Sequence, residues 1–140
     1  MQLTKDEVME IRWCLKANKI QLGSWKEVLN SVRHNSGSET MEHFLIKAAV
    51  TKIIVDNGRH CATEVKIGKG VADIVDITYG MIYEIESEPS DTIAEEKKVK
   101  YKKNNPSFEY AVEVIPVSEV PLEPHKMEAY LRKTYKGLTF

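Results

Sequence analysis

The chain of 140 residues reads as a single α/β domain, a mixed sheet with helices on its faces. Three observations lead there. Apolar residues recur at helical spacing near both ends and between residues 40 and 57. Three short segments of strand character, about 60–67, 71–78 and 81–87, follow one another with Gly68, Gly70 and Gly80 as punctuation. A helical segment and one more strand come next, giving the order αα, then αβββαβα.

Each element has a local reason. In "TKDEVMEIRWCLKAN" Thr4 stands three residues before Glu7, the spacing of a capping box. Val8, Ile11 and Leu15 form a helical stripe that Trp13 and Cys14 widen. Gly23 ends the connection, and Ser24 with Glu27 repeats the capping pattern. Residues 1–36 therefore read as a helical appendage, with the polar run "RHNSGSET" at its boundary. A longer helix runs from about Thr40 to Asn57, with Leu45, Ile46, Ala49, Val50 and Ile53 on one stripe. Asn57-Gly58 supplies its stop. Pro89 closes the block of strands, and Ser90 or Asp91 can cap a helix that reaches about Lys103. "EYAVEVIPV" is a fourth strand, ended by Pro116. The tail 118–140 holds a last helix, with Pro124 near its start and Gly137 past its end. Trp13 and Trp25 read as packing anchors.

Composition removes several function classes. The net charge is −1 and 42% of residues are hydrophobic, so only a local basic patch could attract a polyanion. No apolar run approaches the ~20 residues of a membrane span, and the charged start lacks a signal-peptide core. A cytoplasmic protein without membrane contact is expected. Cys14 and Cys61 make no disulfide framework, although one bridge between them stays open. Histidine and cysteine show no paired zinc spacing, and no Gly-rich phosphate loop, GxSxG or HExxH is present.

The informative stretch is "GKGVADIVDITYGMIYEIES", residues 68–87, which places Asp73, Glu84 and Glu86 inside an apolar alternation. Strand side chains alternate faces, so Glu84 and Glu86 share one face, and Asp73 shares one with Val71, Val75 and Ile77. If these strands pair as a hairpin, Asp73 lies beside Glu84 or Glu86. Glu42, in the first turn of the long helix, would point toward the sheet where the helix dipole favours an anion. Converging carboxylates repel and lose hydration, at several kcal/mol for each unpaired buried ion. A cation among them relieves this, and all-oxygen ligands suit Mg²⁺ or Mn²⁺. The opposing reading is a solvent-facing row of acids with Tyr83 and Ile85 inward.

A helix acid, then "GVADIVD", then "YEIES", then a lysine-bearing helix and a strand resembles the PD-(D/E)XK nuclease superfamily. The resemblance covers about residues 40–117, and Gly70 to Ile74 is most similar to archaeal Holliday junction resolvases. It implies a restriction-endonuclease-like αβββαβ core, DNA as partner, and often a homodimer. It also implies that Asp73 and Glu84 hold the metal, with Glu42 as the helix acid. One departure stands out. Where the family has a lysine two residues after the second acid, this chain has Glu86, which cannot supply positive charge. Some members instead resemble "ExExS" followed by a helix that brings in a lysine. Lys97 is then the displaced lysine, with Lys98 second, and Glu86 is a further ligand or a partner for the basic helix.

The segment "KKVKYKK" has five lysines in residues 97–103, namely Lys97, Lys98, Lys100, Lys102 and Lys103. They read as a phosphate-contacting patch or as a solvated face with Glu96–Lys100 support. His60 reads as strand filler, and His43 as a surface residue that could approach the site. The expected activity is metal-dependent hydrolysis of DNA phosphodiesters. The alternatives are a silent member of the fold that binds nucleic acid, and a plain interaction module.

Overall fold

Two apolar clusters, one on each face of a five-stranded sheet, organise the chain. The computed structural model describes residues 2–35, 37, 39–68, 70–103, 105–106 and 108–139. Helix α1 (Lys5–Ala17) begins with the expected capping box: Thr4 Oγ1 accepts the Glu7 N–H at 3.1 Å, and Glu7 Oε1 accepts the Thr4 N–H at 3.1 Å. A strand too short to show a period, β1 (Ile20–Gln21), follows and pairs with the far end of β2. The second helix, α2 (Trp25–Val28), is a single turn, and Ser24 makes no side-chain cap there, contrary to the second capping box. The N-terminal segment thus joins the sheet rather than standing as a pair of helices.

Helix α3 (Met41–Asp56) is capped by Thr40, whose hydroxyl accepts the His43 N–H at 3.1 Å. Its covered face carries Ile46, Val50, Ile53 and Ile54, all fully buried. Leu45, expected on that stripe, is 40% exposed, and the lysine Lys47 is buried instead. Strands β2 (Cys61–Ile67), β3 (Gly70–Asp76) and β4 (Met81–Glu86) form an antiparallel meander. Helix α4 (Ile93–Lys102) then crosses over to β5 (Ala111–Pro116), which runs parallel to β4. The Ser90 hydroxyl accepts the N–H groups of Thr92 and Ile93 ahead of α4, close to the expected cap. Helix α5 (Pro124–Thr134) opens on Pro124, as the sequence indicates.

The sheet order is β1-β2-β3-β4-β5. On one face α1 packs with Tyr101 of α4, Phe108 and Tyr110 over Ala62, Val65, Ala72, Val75 and Ile82. On the other, α3 and α5 cover Ile74, Tyr83, Ile85 and Ile115. The result is a helix–sheet–helix sandwich. Gly70 lets α4 sit close on β3, because an added Cβ would lie 2.7 Å from Tyr101 Cε1. Trp13 does not anchor this core: it is 69% exposed, while Trp25 packs partly buried at the edge. Cys14 and Cys61 are both free and belong to clusters on opposite faces, so no bridge joins them. Among the described residues, no helix is long and apolar enough to cross a membrane.

Candidate functional site

The sheet is irregular where the acids sit. Ala62 pairs with Val75 and Val65 with Ala72, and all four pack on the α1 side. Strict alternation would put residues three apart on opposite faces, so the pleat changes phase between these pairs. At that point Glu64 has φ +51°, a left-handed backbone costing a non-glycine residue roughly 1–2 kcal/mol. The Arg33 guanidinium holds it there. Nε and Nη2 donate to the Thr63 carbonyl at 3.0 and 2.6 Å, and Nη2 also donates to the Glu64 carbonyl at 2.8 Å.

The phase change also sets Asp73 apart. Val75 and Ile77 join the α1 side, whereas Asp73 reaches His43 of α3, so the expected shared face does not hold. The β3–β4 ladder ends at Ile74 opposite Tyr83. Beyond it Asp73 Oδ2 accepts the Ile85 N–H at 2.7 Å, replacing a ladder bond with a side-chain bond. The strands therefore part at Asp73 and Glu84, and the two carboxylates lie side by side there, close enough to interact.

Glu84 is 1% exposed and receives a hydrogen bond from the Tyr101 hydroxyl. Burial, then the charge of Asp73, pushes its pKa up to about 8, while Tyr101 and Lys97 pull it down. Lys97, on α4, is thus near enough for its charge to favour the ionised form of Glu84. Glu86 sits half-buried at the end of β4, and its charge is felt at the Tyr101 hydroxyl. Lys98 is half-buried, and Lys100, Lys102 and Lys103 are exposed along the same helix.

Glu42 is exposed at the start of α3 and borders a cleft of about 350 Å³ shared with His43, Ser87 and Glu88. No bond joins it to Asp73 among those described. The side chain that reaches Asp73 from this helix is its neighbour, His43, with Nε2 3.5 Å from Oδ2. Its bond to Asp73 raises the pKa of His43, and the Asp73 charge and Glu39 add to the rise against burial. His43 Nδ1 and Lys47 Nζ both meet Glu39 Oε2, at 2.7 and 2.6 Å. Lys47 also lies 3.3 Å from Glu64 Oε2. Burial raises the pKa of Glu64, with Lys47 opposing and Asp73 reinforcing. Burial pushes Glu39 up too, but Lys47, the Asn35 N–H and His43 outweigh it and leave the carboxyl below its usual range.

His43 and Lys47 are four residues apart and share one row of α3, and Glu39, in the loop before Thr40, meets both. The His43–Lys47 spacing is visible in the sequence, but nothing in the pattern points to the loop residue that joins them. Glu64 had no such signal. His60 is not filler: Nε2 meets Glu7 Oε2 at 2.9 Å and ties α1 to the sheet.

Mg²⁺ and Mn²⁺ prefer hard oxygen ligands, and Asp73 beside Glu84 offers them, with burial and the Asp73 charge disfavouring the ionised form of Glu84. Among the described residues, no group of three or more His, Cys, Asp or Glu side chains is already arranged as a metal cage. Two carboxylates suit an ion such as Mg²⁺ that keeps several of its waters. Comparison with known proteins finds no matching family model, curated protein or solved structure.

Proposed function

We propose that this chain is a metal-dependent nuclease that hydrolyses DNA phosphodiester bonds. The observation that carries the reading is the parting of β3 and β4 at Asp73 and Glu84, with Lys97 acting on Glu84 from the crossover helix. The order α3-β2-β3-β4-α4-β5, with β4 and β5 parallel, is the order that a restriction-endonuclease-like core implies. Asp73 and Glu84 would hold Mg²⁺ or Mn²⁺. Such an ion lowers the pKa of bound water and polarises a phosphoryl oxygen. Glu42 lines the cleft beside His43, whose ring reaches Asp73. Glu86 would add charge at the end of β4.

Lys97 supplies the positive charge that Glu86 does not, beside the acid pair where a phosphate would be held. Lys98, Lys100, Lys102 and Lys103 extend that charge along α4 as a backbone-contacting track. A homodimer and a cytoplasmic location belong to the same reading, and sedimentation tests the first. The test of activity is incubation with plasmid and four-way-junction DNA in Mg²⁺, Mn²⁺ or EDTA, beside Asp73→Ala. Metal-dependent cleavage lost in the variant supports the reading. DNA binding that ignores Asp73→Ala, without cleavage, favours a silent member of the fold, to which Glu86 in the lysine position points.

A further inference from the structure

Lys47 is a fully buried lysine on the covered side of α3, which also carries Ile46, Val50 and Ile54. Burying an ammonium costs several kcal/mol, and a hydrophobic residue of similar volume is often as stable or more so. A charge kept at that cost invites a functional explanation. Its partners supply one. A single oxygen, Glu39 Oε2, takes both Lys47 Nζ at 2.6 Å and His43 Nδ1 at 2.7 Å. Glu39 is itself fixed, with its side chain 1% exposed and its other oxygen accepting the Asn35 N–H at 3.2 Å. From this anchor two arms run inward. One ends on Glu64 Oε2, 3.3 Å from Lys47, and the other on Asp73 Oδ2, 3.5 Å from His43.

The register places Glu64 across from Asp73, between the pairs Thr63–Ile74 and Val65–Ala72. Arg33 locks the backbone of Glu64, and the Phe44 ring, 5.7 Å from Lys47 Nζ, walls in the ammonium. Each inner carboxylate is therefore met by a basic side chain that is itself held by Glu39.

We propose that Lys47 is a positioning residue of the candidate metal centre. Seated on Glu39, it holds the Glu64 carboxylate beside Asp73 and fixes the direction and charge of the inner acids. This rests on the metal reading of Asp73 and Glu84. Outer partners of this kind orient the groups that touch the ion, and losing one typically costs 10–100-fold in metal affinity.

The test is calorimetric titration of the full chain with Mn²⁺. Three proteins are compared: wild type, the charge-neutral pair Lys47→Met with Glu39→Gln, and Glu64→Gln. The last keeps a hydrogen-bond acceptor for Lys47 while removing the charge. The expected result is a 10–100-fold loss of Mn²⁺ affinity in both variants, with melting temperatures near that of wild type. A merely structural role would move the melting temperature and leave the affinity alone. Unchanged affinity in either folded variant overturns the proposal. If the paired variant fails to fold, Glu64→Gln decides alone. No Mn²⁺ binding by wild type would sink the metal reading and this proposal together, whereas binding by wild type and variants alike sinks only this one.

Discussion

Replacing Tyr101 by Phe removes one hydroxyl from a contact in which both partners are buried, Tyr101 at 0% and Glu84 at 1% exposure. The ring stays wedged between Gly70 and Phe108, so packing is preserved and only the hydrogen bond is lost. Burial, then Asp73, raises Glu84 from 4.5 to about 8, and the Tyr101 hydroxyl opposes that rise. The sign follows. The folded protein holds this proton more tightly than the unfolded chain, so the stability it contributes is full below pH 4.5 and is lost as pH climbs through about 8. Without the hydroxyl the folded value moves higher still, and the variant's deficit grows with pH. At pH 6 Glu84 is protonated and the lost bond joins neutral groups, worth about 1 kcal/mol. At pH 9 Glu84 is largely ionised and the lost bond is to a charge, worth about 1.5–3 kcal/mol. Urea unfolding of wild type and Tyr101→Phe in EDTA, at both pH values, measures the difference. The same penalty at both pH values would refute the assignment of this bond to an ionising Glu84.

Three further expectations follow from contacts elsewhere. Gly70→Ala should lower stability by about 1–3 kcal/mol in urea, since the new methyl would lie 2.7 Å from the Tyr101 ring and overpack it. Lys97→Met should cut cleavage by about 10²-fold or more while shifting unfolding by less than about 0.5 kcal/mol, because the half-buried ammonium acts on charge rather than packing. Burial pushes Asp76 from 3.8 up to about 6, against Arg59 and the Tyr79 N–H. Its contribution to stability is therefore lost as pH rises through about 6, and Asp76→Asn should flatten the fall of the urea midpoint between about pH 4 and 6.

The helices and the meander were legible because their causes are local. The Thr4–Glu7 box, the cap at Thr40, the glycines between strands and Pro124 each act within a turn of the chain. The two-residue β1 was not, because a period cannot be read from two residues. Of the candidate site, the neighbourhood of Asp73 and Glu84 followed from the strand pattern. The supporting shell did not. Strict alternation gave Asp73 the wrong neighbours, since the pleat changes phase at Glu64 under the hold of Arg33, about 30 residues upstream. Counting the apolar stripe on α3 favoured Leu45 over its buried neighbour Lys47, because hydrophobicity patterns score a lysine as solvent-facing. Its two carboxylate partners come from a loop and another strand, which no periodicity reveals.

The most direct measurement is the position of Mn²⁺ in crystals soaked with the ion and read by anomalous scattering. The metal reading requires a peak within coordination distance of both the Asp73 and Glu84 carboxylates, on the side where β3 and β4 part, and absent in Asp73→Ala. No peak at that pair, or a peak only at surface acids such as Glu42 or Glu88, would contradict it.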